Sequence, residues 1–207
     1  MSHVLAFLLG SLLLMPFRPV FTAEPVPSQV EARMRGNSYP EEGTAAVSLK
    51  DLRYLRLSYY DFNGVPQTGE MVCNASIAQD LLEIFEALFE AGYPIRSIRL
   101  VDDFGGSDDA SMLADNTSCF NFRTVPGQTN LSRHALGLAV DVNPFENPYI
   151  DSRGVVRPAE AACYVDRSQD FPHKIDRNDL CCRLFLAHGF TWGGAWVRSR
   201  DYQHFQK

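Results

Sequence analysis

Residues 132–144 read SRHALGLAVDVNP. His134 stands near one end of this stretch and Asp141 near the other, and the residues between them are small or aliphatic. Side chains alternate across an extended strand. Leu136, Leu138, Val140 and Val142 then share one face, and Gly137, Ala139 and Asp141 share the other. The aliphatic face is a core face. The opposite face is nearly bare up to its carboxylate, which suits the floor of a cleft with room left by Gly137 and Ala139. His134 falls in the turn before the strand and is able to fold over that floor. A lone His–Asp pair is also a common structural hydrogen bond, so a second region has to decide between the two.

That region is the C-terminal DYQHF, where Asp201 precedes His204 by three residues. On a helical turn the two would be neighbours. His134, Asp141 and His204 supply three N/O ligands, which suits a catalytic zinc ion (Zn2+) with an open fourth position. Asp201 is left over beside a ligand, where a general base for a zinc-activated water belongs.

The rest of the chain bounds the answer. A length of 207 residues with 45% hydrophobic content supports one domain with a substantial core. The net charge of −6 and the lack of a Lys/Arg block argue against nucleic-acid binding and against adhesion to anionic membranes. Residues 4–17, VLAFLLGSLLLMPF, are too few to span a bilayer, which takes about 20 residues, and have the length of a signal-peptide core. Residues 1–23 are therefore expected as a signal peptide or N-terminal anchor of an exported protein. Phe21 occupies a position that prefers a small residue if the cut follows Ala23. Residues 24–48, polar and carrying Pro25, Pro27 and Pro40, are expected as a linker or loosely docked arm, and residues 49–207 as the domain that carries the site. Five cysteines in an exported chain allow two disulfides, with Cys73–Cys119 and Cys163 to Cys181 or Cys182 as the expected pairs. No CxxC spacing is present, so a cysteine metal site is not expected.

The pattern predicts strands over 52–62, before Cys73 and over 93–101. It predicts a helix over 76–91, with a Ser76/Gln79 capping box and a stop at Gly92. Residues 102–118 are aspartate- and glycine-rich and are expected as a loop without the spacing of a calcium-binding EF-hand. SCFNFRTV is expected as a short strand with Phe120 and Phe122 on one face and Asn121 and Arg123 on the other. A second helix is expected over 178–189. Short strands among a few helices, without a βαβ rhythm, predict an α+β fold: a small, mostly antiparallel sheet flanked by helices.

Four motifs in order carry a resemblance. SRHALGLAVD has Ser132, His134, Gly137, Ala139 and Asp141 in an SxHxxGxAxD pattern, and DYQH gives a later (D/E)xxH. TWGGAW supplies Trp192, Gly193, Gly194 and Trp196, and SMLADNTSCFNFR and NPFENPY flank the first motif. In these the chain resembles, over roughly residues 52–207, the zinc D-alanyl-D-alanine carboxypeptidases of the VanY type and the related L-alanoyl-D-glutamate peptidases of phage endolysins. The resemblance implies a hedgehog/DD-peptidase-like fold with a zinc cleft on the sheet. It implies His134, Asp141 and His204 as metal ligands and Asp201 as general base, although many relatives carry Glu there. Arg123 would stabilise the oxyanion or hold a substrate carboxylate. Ser118 and Ser132 would contact substrate, with Ser132 equally able to serve the turn, and Trp192 and Trp196 would wall the pocket or join the core. Ala195 stands where the endolysin-type branch is expected to carry an aspartate. The implied activity is hydrolysis of peptidoglycan stem peptides, at D-Ala–D-Ala or at L-Ala–D-Glu, by a monomer. A wall-peptide binding module that keeps zinc but has lost hydrolysis is the alternative, and a zinc peptidase of another substrate is a third; the retained Asp201 favours an enzyme.

Overall fold

The computed structural model describes residues 17–41, 45–125 and 129–207, so residues 1–16 of the expected leader lie outside it. In chain order the elements are β1 (Phe21–Pro25), α1 (Ser28–Met34), β2 (Leu52–Tyr60), β3 (Pro66–Asn74), α2 (Ala78–Glu90), β4 (Ser97–Ile98), α3 (Asp108–Leu113) and β5 (Asn116–Thr117). They continue with β6 (Ala139–Asp141), β7 (Tyr149–Ile150), β8 (Val156–Arg157), α4 (Leu180–Ala187), β9 (Thr191–Trp192), β10 (Arg200–Asp201) and β11 (His204–Gln206). Three antiparallel sheets run in the orders β1-β2-β3, β10-β7-β8 and β6-β11-β9, and β4 with β5 makes a parallel pair. The α+β class and the predominance of antiparallel pairing are as the sequence predicts.

Strand β2 is buried on both faces, and its two-residue period assigns each face a partner. Leu55, Leu57 and Tyr59 pack with Met71, Cys73 and the apolar stripe of α2 at Leu81, Ile84, Phe85 and Leu88. Leu52 and Tyr54 turn to the other side, where Val30 and Met34 of α1 cover them together with Val72 and Phe120. Fully burying a side chain such as Met34 contributes about 2 kcal/mol, so α1 is part of the core. Within the stretch expected as a linker or loosely docked arm, α1 is thus packed into the core. Pro25 ends β1 and Pro27 precedes α1, so the prolines mark boundaries between elements that pack. Ala23 lies opposite Leu55 within the β1–β2 ladder. A cut after Ala23 would remove Phe21–Ala23 from that strand.

Other expectations need correction. The Ser76/Gln79 capping box does not form, because a 3-10 turn over Ala75–Ile77 precedes α2 and is led by Asn74, whose Oδ1 accepts from Ser76 N at 3.0 Å. Gln79 instead donates to Glu83 at 2.9 Å. Gly92 ends the helix region with φ 67, as expected. The strand predicted over 93–101 is reduced to Ser97–Ile98. The loop predicted over 102–118 contains α3, because Ser107 Oγ accepts from Ala110 N at 3.2 Å and Asp108 and Asp109 favour the first turn of a helix. SCFNFRTV forms no strand, yet its alternation holds: Phe120 and Phe122 pack beside α1, while Arg123 faces the other way. All five cysteines are free. Cys73, Cys119, Cys181 and Cys182 are buried and act as small hydrophobes.

Asp115 and Glu146 form a buried carboxyl pair. Asp115 accepts from Phe145 N at 3.0 Å. Burial, and then the neighbouring Asp115 charge, push Glu146 from 4.5 up to about 8. Glu146 therefore holds a proton in the folded protein that the unfolded chain has already lost. Its stabilisation is full below pH 4.5 and is lost as pH rises towards 8. Urea denaturation between pH 5 and 8 should show a fall on the order of 2 kcal/mol, and Glu146→Gln should flatten it. Parallel profiles for the two proteins would contradict this account.

Candidate metal centre

Three separate segments bring the candidate ligand side chains together. Asp141 ends β6, and its backbone is fixed from behind by Ser118: Ser118 N donates to Asp141 O at 3.1 Å and Asp141 N to Ser118 O at 2.9 Å. His204 opens β11 and lies opposite Asp141 in the β6–β11 ladder. Opposed residues on paired strands share a face about 5 Å apart. His134 sits in a 3-10 turn over Arg133–Leu136, started by Ser132 Oγ, which accepts from His134 N at 3.2 Å.

Gly137 closes that turn with φ 67. A Cβ there would come within 2.6 Å of Asn74 N. The glycine thus serves the close approach of the motif to the end of β3, and not the room beside a metal that the sequence suggested; Ala139 is likewise fully buried. Val140 and Val142 face the core as predicted.

The helical turn expected over 201–204 is absent. Asp201 ends β10, which pairs with β7, and His204 begins β11, which pairs with β6. The chain must bend between two sheets, and Trp192 pins the bend by donating from Nε1 to Tyr202 O at 2.9 Å. Gly193 packs beneath it, where a Cβ would stand 2.7 Å from Asp201 O. Trp192 therefore belongs to the core. The tryptophan in the cleft wall is Trp196, with its ring centroid 5.3 Å from that of His204.

Hydrogen bonds on the outer nitrogens of the two imidazoles decide the chemistry between them. His134 Nδ1 lies 2.6 Å from Cys119 O, and His204 Nε2 lies 3.0 Å from Gln206 Oε1. An oxygen acceptor at each outer nitrogen places the N–H there and leaves a lone pair on the inner one. His134 Nε2 is 3.2 Å from His204 Nδ1 and 3.2 Å from Asp141 Oδ2, and His204 Nδ1 is 2.9 Å from Asp141 Oδ1. Three acceptors facing one another repel unless a cation or a proton lies among them. Without a cation a proton takes that place: the Asp141 hydrogen bond and charge overcome the burial penalty and push His204 up to about 9. Against the effect of burial, the His134 and His204 rings hold Asp141 well below the usual carboxylate range. Two imidazoles and a carboxylate, with ligand atoms all within 4.8 Å of one another, could hold a metal ion.

Asp201 stands beside this set, with Oδ2 3.9 Å from His204 Nδ1. Its Oδ1 is buried and has no hydrogen-bond partner among the described residues. Burial, opposed by the His204 charge and aided by that of Asp141, pushes Asp201 up to about 7. Arg123 lines the same cleft. Its Nη2 is bound to Asp108 Oδ2 at 2.9 Å, and its buried Nε has no partner among the described residues. Ser132 also lines the cleft, with its Oγ committed to the turn; Ser118 lies behind Asp141 and supports it from there.

Sequence reasoning missed Tyr149, Arg157 and Gln206, which all line the cleft. Gln206 had a signal: it lies two residues after His204 on a strand and so on the same face. Its Oε1 accepts at the outer nitrogen of His204.

Two imidazoles and a carboxylate that could hold a metal ion line one cleft with a further buried carboxylate, Asp201, beside them. Residues 126–207 match the family model described as D-alanyl-D-alanine carboxypeptidase, so the family resemblance holds over the region that contains all three candidate ligands and Asp201. No curated protein and no solved structure gives a significant match.

Metal analysis after dialysis checks the ligand set. His134→Ala and Asp141→Ala should each abolish stoichiometric zinc binding, and Gln206→Ala should weaken it about 10- to 100-fold. Asp201→Ala should retain the metal. Loss of zinc from Asp201→Ala would show that the ligands are assigned wrongly.

Proposed function

We propose that the protein is an exported zinc peptidase that hydrolyses the stem peptides of peptidoglycan. The observation that carries this reading is Asp201. A purely structural metal needs no buried carboxylate with an unpartnered oxygen beside its ligands, so the binding-module alternative leaves that residue without a role. The description of the matching family favours the D-Ala–D-Ala bond. The cut at L-Ala–D-Glu is the second reading, because the motifs flanking His134 resemble the endolysin branch.

Zinc held by His134, Asp141 and His204 would supply Lewis acidity, which acidifies water and polarises a carbonyl. Asp201 takes a proton from the attacking water as its oxygen bonds to the scissile carbonyl carbon. It returns that proton to the amine nitrogen as the C–N bond breaks. Burial raises Asp201 above the usual carboxylate range, which makes it a better proton acceptor than a solvated carboxylate. The unpaired Nε–H of Arg123 is available to the oxyanion or to a terminal carboxylate of the substrate. Trp196 walls the site beside His204.

Digestion of defined muropeptides by zinc-loaded protein, with products weighed by mass spectrometry, should release a terminal D-alanine or split L-Ala from D-Glu. Asp201→Asn should lower kcat by about 10²- to 10⁴-fold with zinc content unchanged. A wild-type protein that binds zinc and releases no product would overturn the peptidase reading.

A further inference from the structure

We propose that Arg157 is a specificity-determining residue that binds a free carboxylate of the peptide close to the scissile bond; this rests on the peptidase reading above. The strand order β10-β7-β8 puts Asp201 opposite Tyr149, and Tyr149 opposite Arg157. Residues opposed across a ladder project from the same face, and all three line the cleft. Neighbouring strands lie about 4.8 Å apart, so the Arg157 backbone stands about 10 Å from that of Asp201. An extended peptide advances about 3.3 Å per residue. A peptide lying across Tyr149 therefore reaches Arg157 within about one to three residues of the bond beside Asp201.

Three arginines line this cleft, and two are committed. Arg123 is bonded to Asp108 at 2.9 Å, and Arg133 donates to Lys207 O. The Arg157 guanidinium makes no hydrogen bond among the described residues. Its nearest carboxylate is Asp109 Oδ1 at 3.9 Å, on a side chain that is 76% exposed. A pair so long and so open to water contributes almost nothing and yields readily to a better partner. A guanidinium fork matches a carboxylate with two parallel N–H···O bonds, whereas a carboxamide offers one oxygen and no charge. The class of substrate is thus an acidic peptide with a free carboxylate near the cut bond, in preference to the same peptide carrying a carboxamide there.

The test uses zinc-loaded full-length protein and two peptides that differ only by carboxylate against carboxamide within three residues of the cut bond. Wild type should favour the acid by about 10- to 100-fold in kcat/KM, the effect of a charge-assisted hydrogen bond. Arg157→Gln should bring that ratio close to one, and Arg157→Lys should retain part of it. Calorimetry on the Asp201→Asn protein should show the same ratio in Kd for the two peptides, and its loss on adding Arg157→Gln. A ratio unchanged by Arg157→Gln, in turnover or in binding, overturns the assignment. If wild type cuts neither peptide the peptidase reading fails by itself, and the calorimetric ratio still decides for or against Arg157.

Discussion

Two imidazole lone pairs and a carboxylate point at one another across about 3 Å at the heart of this molecule. Nothing in a protein interior holds three acceptors together without a cation or a proton among them. The surrounding structure exists to prevent them from relaxing apart. Cys119 O and Gln206 Oε1 fix the tautomers, Ser118 locks the backbone of Asp141, and Val140 and Val142 anchor the intervening strand in the core. Gly137 permits the tight turn that brings His134 over the strand.

The division of labour between sheets follows from the bend at Tyr202 and Gln203. His204 and Asp141 belong to the β6-β11-β9 sheet, whereas Asp201 belongs to β10-β7-β8. The residue proposed to move protons is thus carried on a different sheet from two of the candidate ligands. It shares that sheet with Tyr149 and Arg157, the row across which a peptide would lie. One short bend, pinned by Trp192, sets the distance between the three candidate ligands and this row.

Much of this was legible in the sequence, because it rests on local pattern. The stripe at Leu81, Ile84, Phe85 and Leu88 marks α2, and the Leu138–Val140–Val142 alternation marks the core face behind Asp141. The residues that the structure gathers as His134, Asp141 and His204 were readable from their types and spacing. What escaped depends on contacts between distant segments. Val30 and Met34 are two apolar residues in a polar, proline-bearing stretch, and only the Leu52–Tyr54 face of β2, which they cover, shows why they fold. The clash that makes Gly137 necessary involves Asn74, far away in the chain. The division of the two tryptophans, Trp192 to the core and Trp196 to the cleft wall, and the alignment of Arg157 with Asp201 both require the strand register. Register is not written in segments two residues long.

The central claim is that these three side chains close on a single metal ion. An anomalous difference map at the zinc edge, from crystals grown with one equivalent of zinc, tests it most directly. One dominant peak among His134 Nε2, Asp141 and His204 Nδ1, with Asp201 adjacent and not bonded to it, is the expected result. A dominant peak elsewhere, such as at the surface cluster of His188, Asp80 and Glu83, or no peak at all, would contradict the account.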